Sequence, residues 1–129
     1  MVIDTSALIA ILLDEPEATA FAHAISADSR RLISAASALE TAIVIEARKG
    51  PAGGRELDLL LHRARIEIVP FTASHYEIAR AAWRRFGRDN HAASLNFGDC
   101  CAHALAQSSG ETLLFKGGDF VLTDVRSAL

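Results

Sequence analysis

Cysteine is almost missing. The chain has two, Cys100 and Cys101, and they are neighbours. Adjacent cysteines make poor disulfide partners, and no third is present. The sequence therefore predicts a reduced, cytoplasmic protein in which the pair acts as two small apolar helix residues. No apolar run reaches the roughly eighteen residues of a membrane span. The opening Met1-Val2-Ile3-Asp4 puts no basic segment ahead of an apolar one, so no secretory signal is expected. Excess positive charge is missing as well. The net charge is −3 and the pI about 5.9, which disfavours a protein that coats nucleic acid by charge alone. The histidines at 23, 62, 75, 91 and 103 have no metal-ligand spacing such as His-x₃-His. There is no Gly-x₄-Gly-Lys-Ser/Thr loop, no Gly-x-Gly-x-x-Gly and no Gly-x-Ser-x-Gly elbow.

What is present suits one globular domain spanning residues 1–129. Half of the residues (50%) are apolar and 22% are charged, an ordinary balance for a chain that buries one core without staples. Alanine occurs 24 times and favours helix. Of the 13 basic residues, 11 are Arg, which suits bidentate phosphate contacts and equally suits a biased genome composition.

Strand and helix signals alternate. Val2-Ile3 reads as a short strand that ends at Asp4. Ser6 caps an apolar helix over Ala7 to Leu13, and Pro16 opens a second over Glu17 to Ser26. Leu32 to Ser34 is a strand, followed by a long helix from Ala36 to Lys49 that Gly50-Pro51 stops. Gly53-Gly54 separates it from another helical stretch, Glu56 to Arg65. Ile66 to Val69 alternates as a strand and meets Pro70. Thr72 caps a helix reaching Phe86, residues 88 to 97 form a polar loop, and a helix runs from Gly98 to Ser109. Thr112 to Phe115 is the last strand, and Gly117-Gly118 turns the chain. This order predicts an α/β fold: a small parallel sheet with helices on both faces, and function at the C-terminal ends of its strands.

Four acids fall at informative places. Asp4 follows the first strand, where Asp also serves as a turn or cap residue. Glu40 shares a helix face with Ile43, Val44 and Ala47, and a carboxylate on an apolar stripe needs a partner or a metal. Asp99 opens a helix, where the helix dipole also favours it. Asp119 lies beyond the last strand, in turn-like surroundings. Taken as a set, Asp4, Asp99 and Asp119 are expected on one rim of the sheet, and Glu40 is expected to point toward that sheet from a helix face. Converging carboxylates repel unless a divalent cation neutralises them, and oxygen-only ligands suit Mg²⁺ or Mn²⁺. One or two such ions activate water and stabilise a phosphoryl transition state, so phosphodiester hydrolysis is the expected chemistry.

Four segments carry a resemblance: Met-Val-Ile-Asp-Thr-Ser-Ala-Leu at 1–8, Ser-Ala-Leu-Glu-Thr-Ala at 37–42, Leu-Asn-Phe-Gly-Asp-Cys at 95–100 and Leu-Leu-Phe-Lys-Gly-Gly-Asp-Phe at 113–120. In this order and over the whole chain, they resemble a PIN-domain ribonuclease of the VapC type, the toxin of a bacterial toxin–antitoxin pair. The resemblance implies a three-layer fold and Mg²⁺-dependent cleavage of RNA, with Mn²⁺ able to substitute. It also implies a VapB-type antitoxin that occludes the site, and a homodimer. Its acidic site maps onto Asp4, Glu40 and Asp99 as metal ligands. Asp119 is the one acid in the last motif, because Gly118 stands where some relatives carry an additional acid. Thr5 and Ser6 match the supporting hydroxyls, and Ser6 either orients Asp4 or caps the helix. An antitoxin Arg fits such an acidic pocket. The apolar run Ala7–Leu13, with Phe21 on the next helix, offers a groove for the segment flanking that Arg.

Two other classes compete. A phospho-receiver signalling domain has this size and uses a Lys after a late strand, a part open to Lys116. It also needs paired acids after the first strand and a lone Asp after the middle one, where this chain has Thr5-Ser6 and Pro70-Phe71. A binding-only, degenerate PIN domain should have lost an acid, and this chain keeps all four.

Overall fold

The computed structural model describes residues 1–129. Four short strands, β1 (Val2–Ile3), β2 (Leu32–Ser34), β3 (Glu67–Val69) and β4 (Leu113–Leu114), form one sheet in the order β3-β2-β1-β4. Every pairing is parallel, with Val2 opposite both Leu32 and Leu113. Parallel neighbours need long crossovers. Here α1 (Thr5–Leu12) and α2 (Ala18–Ala27) follow β1, and α3 (Ala35–Lys49) and α4 (Pro51–Arg63) follow β2. Then α5 (Ala73–Phe86) and α6 (Phe97–Ser109) lead from β3 to β4.

Successive strand residues point to opposite faces, which divides the core in two. Ile3, Ile33 and Leu114 pack with Leu8, Phe21, Ile45 and Leu57 from α1–α4. Val2, Leu32 and Leu113 pack with Ala79, Phe86, Leu95 and Leu105 on the side of α5 and α6. The expected three layers are therefore present. At the sheet's ends, β3 pairs on one side only. The outer side of β4 is taken by residues 126–128: Leu113 N–H donates to Arg126 and Ala128 N–H to Leu113.

Several boundaries and faces differ from expectation. Asp4, not Ser6, is the N-cap of α1: its carboxylate accepts from Ser6 N–H at 3.0 Å, so the helix starts at Thr5. A carboxylate caps as well as a hydroxyl, and the Ser6 hydroxyl has another task. Gly53-Gly54 is no break. The chain turns at Gly50 (φ 66°), Pro51 starts α4, and both glycines lie inside that helix. They are small because α3 crosses there: a Cβ at Gly53 would stand 2.7 Å from the Ile45 carbonyl oxygen. Asn96 caps α6, which begins at Phe97. The apolar groove expected along Ala7–Leu13 and Phe21 is not there, because Ala7 to Ala10 and Phe21 are core. Only Ile11, Leu12 and Leu13 stay partly open. No helix is long and apolar enough to cross a membrane.

Candidate active site

The C-terminal ends of β1 and β4 and the starts of α1 and α6 share one rim of the sheet. Asp4 leaves β1 there and is 4% exposed. Its Oδ2 accepts from Ser6 N–H at 3.0 Å and from the Ser6 hydroxyl at 2.6 Å. The Ser6 oxygen in turn accepts from the backbone N–H of Lys116, just past β4, at 2.9 Å. One serine therefore ties the first acid to the last strand. Thr5 turns away, its hydroxyl donating to the Ser37 carbonyl oxygen at 3.0 Å. It couples α1 to α3 and takes no part in the acid cluster through that bond.

Asp99 enters from α6 and is 9% exposed. A capping box holds it. Asn96 N–H donates to Asp99 Oδ2, and Asp99 N–H donates to Asn96 Oδ1, both at 2.9 Å. One carboxylate oxygen is thereby committed and the other is left for the site. Burial pushes its carboxyl up to about 6, and the charges of Asp4, Asp119 and Glu40 push the same way. Asp4 is also raised, first by burial and then by Glu40, against the pull of its bonds to Ser6. Because the other three acids all act on the Asp99 carboxyl, the four form one electrostatic unit.

Glu40 belongs to that unit, but not for the reason its helix pattern suggested. Ile43 is 60% exposed and Ala47 is exposed, and of the expected apolar stripe only Val44 packs, partly buried, against the core. The buried side of α3 is Ser37, Ala38, Thr41 and Ile45. Glu40 sits half-buried at its margin. Asp119 is exposed, in the turn after Gly117 (φ 96°), and meets the cluster from the solvent side. Asn96 and the Lys116 N–H were not singled out beforehand. The Asn96-x-x-Asp99 spacing carries the signal for the first, since a polar cap three residues before an acid marks a reciprocal box.

Can these residues hold a cation? The donors are carboxylate oxygens, with no thiolate or imidazole among them, and they carry more charge than the site can neutralise. That is the chemistry of a hard divalent ion. No three of the side chains converge at the distances one ion demands. Lys116 does not neutralise the cluster: its ammonium is paired with Glu15 and, at 3.2 Å, with Glu17.

Beside the acids runs an apolar groove of about 380 Å³. Phe71, Tyr76, Trp83, Phe97 and Arg80 line it, with Cys100 and Cys101 at its wall. Phe97 is 81% exposed, a large apolar surface two residues from Asp99. Both thiols are buried and pushed up to about 11, chiefly by burial, as expected of inert packing residues.

The PIN domain family matches residues 1–125. Ribonuclease VapC30 of Mycobacterium tuberculosis is 58% identical over 125 residues, covering 97% of this chain and 95% of that protein. Ribonuclease VapC of Mycolicibacterium smegmatis is also 58% identical over 125 residues, covering 97% of each. Ribonuclease VapC28 of M. tuberculosis is 50% identical over 131 residues, covering 100% of this chain and 98% of that one. Among solved structures, M. tuberculosis VapC20, described as a sarcin-ricin loop cleaving toxin, superposes with a TM-score of 0.78 over 96% of this chain and 95% of that one. At 17% identity that likeness bears on the fold alone.

Proposed function

The chain belongs to the PIN-domain family and, within it, to the VapC ribonucleases, and from that premise we propose that it is an endoribonuclease toxin that hydrolyses RNA at Asp4, Glu40 and Asp99. The observation that carries the reading is the pair Asp4 and Asp99. Two largely buried carboxyls, Asp4 raised by burial and by Glu40, Asp99 by burial and by Asp4, Asp119 and Glu40, have no basic partner. Structural acids are normally paired.

Asp4, Glu40 and Asp99 would hold Mg²⁺, with Mn²⁺ able to substitute. Such an ion supplies an activated water and offsets charge on the phosphoryl group. The protein's own part is orientation. Ser6 fixes one oxygen of Asp4, and Asn96 fixes one oxygen of Asp99, which leaves the second oxygen of each carboxylate free of these bonds. Asp119, at the solvent side, adds negative charge where substrate enters. It acts on the acids' protonation and stands outside the ligand set.

A VapB-type antitoxin and a second copy of the chain are the proposed partners. The groove lined by the exposed apolar residues Tyr76 and Trp83 on α5 and Phe97 on α6 offers a surface for the second copy.

The test is cleavage of RNA by the purified protein. Asp4→Asn and Asp99→Asn should abolish it with the fold intact, and products should end in 3′-hydroxyl and 5′-phosphate. A fully active Asp99→Asn protein, or 2′,3′-cyclic phosphate ends, would overturn the mechanism. Mn²⁺ should also raise the thermal midpoint above that in EDTA, since an ion that binds only the folded chain stabilises it by linkage.

A further inference from the structure

Gly98 lies in the first turn of α6, between Phe97 and Asp99. A Cβ built there would stand 2.6 and 2.7 Å from the two carboxylate oxygens of Glu40 and 2.9 Å from its Cδ. Carbon and oxygen do not approach so closely without a bond. The obstacle is the end of a side chain from another helix, not backbone. Adding a methyl group at 98 would therefore displace Glu40 and leave α3 and α6 where they are.

The backbone gives no other reason for glycine here. Positive φ occurs at Gly50, Gly110 and Gly117, not at Gly98. Its conformation is that of an ordinary buried helical residue. On helix propensity alone, alanine would be as good or better. What glycine supplies at 98 is space for a carboxylate, which can then lie across the first turn of α6 beside Asp99.

We propose that Gly98 is a positioning residue of the acidic site: its missing side chain is what lets Glu40, carried on α3, reach the turn that carries Asp99. This rests on the reading of Glu40 as a site residue. Gly98 touches no substrate and acts only through Glu40. The sequence places the two 58 positions apart (98 − 40), and only the packing of α3 on α6 brings them together.

The test uses the full chain and Mn²⁺ alone as probe, with affinity measured by calorimetry or electron paramagnetic resonance and the thermal midpoint measured in EDTA. Gly98→Ala should weaken Mn²⁺ binding by about tenfold or more, the usual scale for disturbed support of a ligand. Its midpoint in EDTA should stay equal to that of the parent or rise, an outcome that a purely structural role would not produce. In a Glu40→Ala background, Gly98→Ala should change Mn²⁺ affinity no further. Parental Mn²⁺ affinity in Gly98→Ala, or an equal loss in both backgrounds, would overturn the proposal. If Gly98→Ala fails to fold while Gly98→Ala/Glu40→Ala folds, the clash is real and the proposal stands. If both fail to fold, glycine serves the helix packing and the proposal falls. A Glu40→Ala protein that binds Mn²⁺ like the parent would instead sink the acidic-site reading itself, and this inference with it.

Discussion

The Ser6 hydroxyl donates to Asp4 Oδ2 over 2.6 Å, within the same turn in which Asp4 caps its helix. Through Lys116 N–H it also fastens that turn to the end of β4. Ser6→Ala removes both bonds and leaves a main-chain donor unpaired. The expected cost is about 1–3 kcal/mol, the scale for a polar group stranded by loss of its partner. The Ser6 bonds also hold the Asp4 carboxyl down against burial, so without the hydroxyl it rises further. The pH at which cleavage reaches half its maximum should therefore move up. Denaturation and pH–rate profiles of Ser6→Ala check the two effects separately.

Asp99 sets a pH dependence of stability. Burial pushes its carboxyl up to about 6 in the folded chain, against an ordinary 3.8. Between those values the folded chain keeps a proton that the unfolded chain has lost. Its contribution is thus fully present below 3.8 and is lost as pH rises through about 6. Asp4 acts with the same sign. Asp124, held low by His103 and Arg85, acts with the opposite sign, its contribution being lost as pH falls. Comparison with Asp99→Asn isolates the site. In EDTA the variant should melt above the parent at pH 7.5, with the gap closing as pH falls below about 6. A constant gap from pH 4 to 8 would contradict the shift.

Asp124 bridges α6 to the segment after β4. One oxygen lies 2.7 Å from Nε2 of the buried His103 and the other 3.2 Å from Arg85. The Nδ1 of His103 has no partner, so Asp124→Ala would leave the whole ring unpaired. A loss of about 1–3 kcal/mol follows. Denaturant titration should show it at neutral pH, with Mn²⁺ affinity little changed because the acids are held by other contacts.

The adjacent thiols should be silent. Both are buried, and burial pushes both up to about 11. A disulfide reagent at pH 8 should label neither in the folded chain and both in denaturant. Rapid labelling of the native protein would mean that the wall of the aromatic groove opens.

The places where the sequence was legible share a physical reason. Asp4 and Asp99 sit where a strand stops or a helix starts, and local signals mark those points. The alternation of strands and helices likewise foretold three layers, since parallel neighbours demand crossovers. Glu40 was reached by a faulty route. Its periodic apolar neighbours Ile43 and Ala47 face outward, because the partners α1, α4 and α6 decide which side of α3 is covered, and periodicity does not know them. Gly53-Gly54 misled for a related reason. A glycine that breaks a helix and one that admits a neighbouring helix look alike in the chain. Gly98 passed unnoticed until its contact with Glu40 could be seen.

The sheet's two ends are unequal: residues 126–128 occupy the flank of β4, while the flank of β3 is free. Main-chain pairing between molecules therefore has a single point of attachment per copy. Any strand-to-strand pairing of two copies there would exhaust it and close. Deleting the chain from Arg126 onward would create a second point of attachment. A chain so shortened would carry two unlike open flanks, the arrangement that permits head-to-tail association.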